Sequence, residues 1–179
     1  MYYYGSQNKP FVYRCINRLD RDTTGLTIVA KHALAGGILG NAVAKRAIHR
    51  TYYAVCSGCT PACMRISAPI ARKDASTIER CVDFKRGENA VTDFIRIKYN
   101  PDNNLSLVKL RLLTGRTHQI RVHMKYIGFP LIGDFLYNPD YTYISRQALH
   151  SGRLVFTHPV TGQKMNLISD IPSDMKSLF

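Results

Sequence analysis

Two short segments of this 179-residue chain carry residue types and spacings that could do chemistry. The first, residues 17–25, places the carboxylates of Asp20 and Asp22 beside the guanidinium groups of Arg18 and Arg21. A carboxylate can act as a nucleophile or a base, but aspartates in loops usually accept hydrogen bonds from nearby backbone amides. Taken alone, this segment favours an ordinary turn over a reactive site.

The second segment, residues 114–123, follows a strand-like run and contains Arg116, His118, Arg121 and His123. Guanidinium groups bind phosphates and carboxylates through paired hydrogen bonds, so this segment could clamp an anion. The alternative is a basic surface that is simply solvated.

The charge of the whole chain favours a polyanionic partner. There are 25 Lys and Arg residues against 12 Asp and Glu residues, which gives a formal net charge of +13. Nucleic acid is the first candidate, because each cation near a phosphate releases condensed counterions. Hydrophobic residues make up 45% of the chain, which excludes global disorder and fits one domain with one core. No apolar run could span a membrane and no secretion signal begins the chain, so we expect a cytoplasmic protein without a membrane partner.

The chain contains five cysteines, Cys15, Cys56, Cys59, Cys63 and Cys81. Their odd number, in a chain without a secretion signal, predicts reduced thiols rather than disulfides. Three of them are spaced like metal ligands, but no second pair of cysteines or histidines would complete a site. The sequence therefore predicts that no metal is bound.

The elements that must position the two segments are mostly strands. Runs of apolar and β-branched residues predict a strand on each side of the first segment, at 11–16 and 26–30. Helices are predicted over 33–48 and 118–127. Further strands are predicted at 51–56, 64–70, 80–83, 90–99 and 105–113, with a terminal hairpin of 149–157 and 164–168. The sequence thus predicts an α/β (mixed α+β) fold, a single domain whose central, mainly antiparallel mixed β-sheet is flanked by a few helices and loops.

Together the two segments resemble the pseudouridine synthases of the large-subunit ribosomal RNA type, the RluA/RluD family. The resemblance rests on Arg18-Leu19-Asp20 followed by Thr23-Thr24-Gly25-Leu26, and on residues 114–123 much later in the chain. Other blocks agree in order and spacing, at residues 50–55, 68–72, 128–134 and 149–159. The resemblance implies that residues 1–179 form the family's catalytic domain, with the pseudouridine synthase fold. Because only 17 residues precede Arg18, we expect the family's N-terminal segment and its S4 RNA-binding domain to be missing.

The resemblance also implies roles for individual residues. It places the catalytic aspartate at Asp20, the active-site tyrosine at Tyr52 and the arginine that pairs with the aspartate at Arg121. Arg116 and Leu149 are the alternative matches for the pairing arginine and for an apolar pocket residue. The residues expected to bind substrate are Arg18, Thr23, Arg116, His118, Gln119 and, as the apolar pocket residue, Leu154.

The reaction that the resemblance implies is the isomerisation of specific uridines to pseudouridine in structured RNA, ribosomal or transfer. It breaks the bond between N1 and C1′ and rejoins uracil through C5 without a redox change, so no cofactor is expected. Uracil can delocalise the charge of its leaving nitrogen, so one carboxylate suffices where glycosidases need two. Asp20 would attack C1′ or remove the proton at C2′, and Tyr52 would stack on the base and help remove the C5 proton.

Two other kinds of protein remain open on the sequence alone. One is a non-catalytic RNA-binding or ribosome-associated protein that kept the basic surface, and the other is a binding module stabilised by zinc on the cysteines. The presence of Asp20, Tyr52 and Arg121 together favours the enzyme, because binding alone would not require them. We expect the enzyme to be a monomer.

Overall fold

The computed structural model describes residues 12–179, which form eleven strands and three helices. The strands are β1 (Arg14–Cys15), β2 (Thr24–Gly25), β3 (Val29–Ala30), β4 (His49–Ser57), β5 (Cys63–Ser67), β6 (Ile70–Arg72), β7 (Arg80–Val82), β8 (Val91–Asn100), β9 (Leu105–Leu112), β10 (Leu149–Thr157) and β11 (Lys164–Ile168). The helices are α1 (Ala33–Ala44), α2 (Gln119–Tyr126) and α3 (Ser173–Lys176).

The main sheet has seven strands, six of which follow the order β11-β10-β4-β9-β8-β5. Every neighbouring pair on this path is antiparallel. The short β2 adds a parallel pair with β10, and β1 with β3 and β6 with β7 form two small antiparallel sheets. The predicted fold class, a mainly antiparallel mixed sheet with a few helices, is therefore confirmed.

Alternating side chains in the central strands place the main core cluster on one face of the sheet. In the second half of β9, Val108 and Leu110 are completely buried, whereas Lys109 and Arg111 are exposed. This period of two leaves the opposite face basic and solvated there, while Leu105 at the start of β9 packs with Val55 in a second cluster on that opposite face. The buried face packs on α2 through Met124, which is also completely buried. The helix that carries much of the second segment is therefore fixed against the sheet.

Helix α1 is shorter than the predicted helix over 33–48. It ends at Ala44, because Arg46 adopts a positive φ of 57° and the chain closes with a hydrogen bond from Ala47 N to Ala42 O at 2.8 Å. The chain then turns directly into β4, whose first residues reach the functional cleft described below.

Three strand predictions also differ from the structure. The predicted strand 64–70 is divided into β5 and β6, because Pro69 has no N–H to donate to a sheet ladder. The predicted strand 11–16 begins outside the described residues, and its described part forms only β1. The predicted strand 26–30 is reduced to β3, whereas the terminal hairpin of β10 and β11 is confirmed.

A buried histidine ties α2 to neighbouring strands. The Nε2 of His123 donates to Ala68 O at 2.9 Å, so its Nδ1 accepts the hydrogen bond from the Thr92 hydroxyl, also at 2.9 Å. Burial lowers the pKa of His123, and its hydrogen bond to Ala68 only partly opposes this. Burial likewise lowers the pKa of His150, which lies on β10. Both imidazoles are therefore held in the neutral form.

We expect the free energy of unfolding to decrease as the pH falls below about 6.5, the ordinary pKa of histidine. Folding lowers the pKa of both histidines, so the unfolded chain binds more protons there. Above that pH the two histidines do not reduce the free energy of unfolding. Below it, each histidine reduces the free energy of unfolding by at most about 1.4 kcal/mol per pH unit. Urea unfolding between about pH 5.5 and 7.5 measures this slope. His123→Gln should have a shallower slope, and an unchanged slope would contradict the assignment.

Candidate active site

The two segments singled out in the sequence line one cleft of about 920 Å³. The loop before β2 contributes Arg18, Asp20 and Thr23, and Tyr52 comes from β4. The loop before α2 and the first turn of α2 contribute residues 114–121. The fold thus brings together side chains that lie 101 positions apart in the chain.

A tight turn fixes Asp20 in this cleft. The backbone N–H of Thr23 donates to the carbonyl of Asp20 at 3.1 Å, and the Thr23 hydroxyl accepts a hydrogen bond from Gln147 Nε2 at 2.5 Å. Gly25 follows with a φ of 104°, and a Cβ there would lie 2.3 Å from the carbonyl oxygen of Ser151. Only glycine therefore lets the end of the turn approach β10 this closely.

Arg121 is the cation that faces Asp20. Its side chain is 1% exposed, and its Nε and Nη2 donate to the two carboxylate oxygens of Asp134 at 2.7 Å each. Its Nη1 donates to Oδ2 of Asp20 at 3.3 Å. Asp134 is itself completely buried and accepts hydrogen bonds from the backbone N–H groups of Leu136 and Tyr137. The bidentate pair with Asp134 thus holds the guanidinium so that its third nitrogen points at Asp20.

Neighbouring groups stabilise the positive charge of Arg121 despite its burial. Burial disfavours the cation, but the hydrogen bonds and negative charge of Asp134, with a smaller contribution from Asp20, raise the pKa of Arg121 above its ordinary value. The guanidinium also lies 5.3 Å from the ring centre of Phe135 and 5.0 Å from that of Tyr137, within the range of cation–π attraction. A permanent cation therefore stands beside Asp20, whose side chain remains 27% exposed to the cleft.

Asp134 is the residue of this site that sequence reasoning missed. The sequence feature that could have indicated it is its position in the block 128–134, one of the blocks that resemble the family. No spacing rule connected it with Arg121, because Asp134 lies in a loop and not on the same helix face. The structure also decides between the two arginines, since Arg121 and not Arg116 contacts Asp20.

Tyr52 is held in the middle of the sheet, where β4 pairs with both β9 and β10. Its side chain lines the cleft but is only 5% exposed. Burial raises the pKa of Tyr52, and the positive charge of Arg50 only partly offsets this. The phenol is therefore neutral near neutral pH.

Gln119, predicted to bind substrate, lines the cleft and is also bonded within the protein. The residue is 2% exposed, and its Oε1 accepts hydrogen bonds from the Thr114 hydroxyl at 2.8 Å and from the Arg116 N–H at 2.9 Å. Its Nε2 donates to Val91 O and Thr92 Oγ1, both at 3.0 Å. Both ends of the amide thus have partners within the protein, and Gln119 holds the loop before α2 against β8.

The two leucines considered for the apolar pocket lie in different surroundings. Leu154 is completely buried in a core cluster with Leu39 and Phe156, and it does not line the cleft. Helix α1 covers the part of β10 that carries Leu154. The alternative match, Leu149, lines the cleft at the other end of the same strand.

The remaining predicted residues lie on the cleft with partners of their own. Arg116 forms an ion pair with Glu88 and donates from Nε to Asn89 O at 3.1 Å. His118 precedes α2 with a φ of 56° and shares a hydrogen bond of 2.9 Å with the Tyr137 hydroxyl. Burial, together with the nearby charge of Arg121, lowers the pKa of His118.

The cleft is strongly basic. Its arginines are Arg18, Arg46, Arg50, Arg111, Arg116 and Arg121. Among the described residues that line it, Asp20 is the only carboxylate. Such a surface attracts a polyanion and presents one anionic group to whatever binds.

The described residues contain neither a cluster of metal ligands nor a membrane-spanning helix. Within residues 12–179, no group of three or more His, Cys, Asp or Glu side chains is arranged to hold a metal ion. No helix in that range is long and apolar enough to cross a membrane. Cys56 is buried inside β4, while Cys59 and Cys63 are exposed beyond it.

Comparison with known proteins identifies the family to which this chain belongs. The family model of RNA pseudouridylate synthases matches residues 1–126, and the chain belongs to this family. The chain is 47% identical over 166 residues to the uncharacterized RNA pseudouridine synthase YjbO of Bacillus subtilis, covering 92% of this chain and 57% of that protein. It is 37% identical over 174 residues to the ribosomal large subunit pseudouridine synthase D of Zymomonas mobilis, covering 92% and 54%. The chain thus spans little more than half the length of these relatives.

Two solved human structures share the fold. RNA pseudouridylate synthase domain containing 1 superposes with a TM-score of 0.78 at 26% identity, over 89% of this chain and 69% of that one. RNA pseudouridylate synthase domain containing 4 superposes with a TM-score of 0.77 over 98% of this chain and 77% of that one. At 20% identity, the second likeness concerns the fold alone.

Proposed function

We propose that residues 1–179 form the catalytic domain of an RNA pseudouridine synthase that isomerises specific uridines in structured RNA. The observation that carries the proposal is the pair of Asp20 and the buried Arg121, which places a single carboxylate in a cleft that also contains six arginines. A protein that only binds RNA would gain nothing from a carboxylate there, since it repels phosphates. Family membership and the names of the relatives support the same activity.

Asp20 acts at the ribose. Arg121 bonds to Oδ2 of Asp20, which leaves Oδ1 to attack C1′ or to take the proton from C2′. In either route the electrons of the N1–C1′ bond leave with uracil, whose carbonyl groups spread the negative charge. The freed uracil then rotates and its C5 bonds to C1′. In the first route this breaks the bond between Asp20 and C1′, and in the second route Asp20 returns the proton to C2′. C5 finally loses its proton to water and N1 takes up a proton, so the product is an isomer of the substrate.

Tyr52 and the basic side chains hold the RNA. The target base must leave its stack to reach Asp20, and the ring of Tyr52 offers a surface on which it can stack. A cleft of about 920 Å³ is large enough for a nucleotide. The arginines of the cleft neutralise phosphates on either side of the extruded nucleotide.

Two finer points belong to the same proposal. Relatives named for the large ribosomal subunit make ribosomal RNA the first substrate to test, with transfer RNA the second. We also propose that the protein acts as a monomer in the cytoplasm and needs no cofactor, since the isomerisation involves no net oxidation or reduction.

Release of tritium from C5-labelled uridine tests this function. Transcripts of large-subunit ribosomal RNA and of transfer RNA, labelled at C5, are incubated with the protein without added cofactor. We expect tritium release from one of them, at a small number of uridines that chemical mapping then identifies as pseudouridine. Tight binding of both RNAs without tritium release would instead identify a non-catalytic RNA-binding protein.

A further inference from the structure

A second basic cleft adjoins the first. It has a volume of about 500 Å³ and lies between the β6–β7 hairpin and the loop before α2. The two clefts share residues 115–117, so one opens next to the other. The charged residues that line the second cleft are Arg72, Arg80, Arg86, Arg116 and Glu88.

Two of these arginines have no carboxylate partner in the described part of the chain. Arg72 donates to Ala75 O at 3.2 Å, and Arg80 donates to the carbonyls of Ile78 and Glu79 at 3.4 and 3.5 Å. By contrast, Arg86 is paired with Asp83, and Arg116 with Glu88. Hydrogen bonds between a guanidinium and a charged phosphate are shorter and stronger than such bonds to carbonyls. Arg72 and Arg80 are therefore the arginines that gain most from an incoming phosphate.

The second cleft is held at a fixed position relative to Asp20. The backbone N–H of Arg80 donates to the hydroxyl of Tyr137 at 2.9 Å, and the same hydroxyl bonds to Nδ1 of His118 at 2.9 Å. The ring of Tyr137 in turn lies under the guanidinium of Arg121. One buried tyrosine thus connects β7, the loop before α2 and the cation beside Asp20.

We propose that the second cleft binds backbone phosphates of the RNA strand that flanks the target uridine. The strand passes from the first cleft over residues 115–117 to the β6–β7 hairpin, where Arg72 and Arg80 contact it. This inference rests on the proposed function, because it assumes that RNA occupies the first cleft. Its contacts are to phosphates, so they set affinity and position rather than base sequence.

The test measures how RNA affinity depends on salt. A fluorescein-labelled RNA stem-loop with a uridine-rich loop is titrated with the 179-residue protein at several salt concentrations between about 50 and 300 mM. The variants are Arg72→Gln, Arg80→Gln and the double variant. Arg153→Gln is the matched control, because Arg153 is exposed like Arg72, bonds to the neutral Asn166 and lies outside both clefts.

We expect each single variant to reduce the slope of log affinity against log salt by about 0.7 to 1, and the double variant to reduce it by about twice as much. The control loses one positive charge, as each single variant does, but it should keep the wild-type slope. With C5-labelled RNA, the variants should raise KM and leave kcat at saturating RNA unchanged. Slopes equal to that of Arg153→Gln, or no binding of the stem-loop by the wild type, would overturn the proposal.

The outcomes separate this inference from the proposed function. Turnover by the wild type combined with unchanged slopes in the variants would refute the second cleft and leave the enzyme intact. Reduced slopes without turnover by the wild type on any RNA would support the second cleft as an RNA surface and refute the enzyme.

Discussion

Replacing Asp20 with asparagine is expected to abolish pseudouridine formation while leaving the fold and the RNA affinity nearly unchanged. An amide has the shape of the carboxylate but can neither attack C1′ nor take a proton from C2′. Arg121 keeps its position in the variant, because Asp134 binds two of its nitrogens. The single-turnover rate of tritium release should fall by at least about 10³-fold, as is usual when a nucleophile or base is removed.

Asp22→Asn is the matched control for this experiment. Asp22 lies two residues further along the same loop, where its side chain is 45% exposed and pairs with Arg21 at 3.4 Å. It does not line the cleft, so its loss should change the rate by less than a few-fold. RNA affinity should match the wild type in both variants. Substantial turnover by the Asp20 variant would remove Asp20 as the catalytic group.

The strands and the two reactive segments could be predicted because their signals are local. In β9, alternation of apolar and charged residues from Val108 to Leu112 determines which side chains are buried. The two segments that meet at the cleft are each short, and the first was distinguished from an ordinary turn only by its resemblance to the family together with the second. The predicted helix over 33–48 extends too far. Its true end also depends on a single local feature, the left-handed conformation of Arg46.

The partners of these residues could not be predicted, because they depend on contacts between distant parts of the chain. Gln119 is a polar residue in a basic segment, and only the position of β8 shows that its amide is buried. Leu149 and Leu154 lie on one strand, and only the packing of α1 shows which of them is covered. Asp134 follows Arg121 by 13 residues, and neither a helix nor a strand places residues at that spacing on the same face.

The arrangement around Arg121 shows how a basic cleft can contain a carboxylate that stays partly exposed. A cleft with six arginines attracts a polyanion, but a carboxylate bonded to several of them would have no oxygen left for a ligand. Asp134 accepts hydrogen bonds from two nitrogens of Arg121. Asp20 therefore receives only one hydrogen bond from Arg121 and keeps part of its surface exposed. The buried aspartate is thus a positioning residue for the exposed one.

Replacing Arg121 with methionine is expected to reduce both stability and activity. The variant leaves Asp134 completely buried without its cation, and breaking a buried ion pair typically costs roughly 3 to 5 kcal/mol. Urea unfolding measures this loss. Arg121→Lys restores the charge but not the planar fork that serves two carboxylates, so it should recover part of the stability and little of the activity.

The single-turnover rate at saturating RNA distinguishes the role of Arg121 from that of Arg116. Without the hydrogen bond from Arg121 to its Oδ2, the carboxylate of Asp20 loses its fixed orientation, so the rate at saturating RNA should fall in Arg121→Met. Arg116→Met removes a cation that pairs with Glu88 and not with Asp20, so it should weaken RNA binding and leave the rate at saturating RNA unchanged. Single-turnover rates measured over a range of RNA concentrations separate the two effects. A lower saturated rate for Arg116→Met with an unchanged one for Arg121→Met would reverse the assignment of the two arginines.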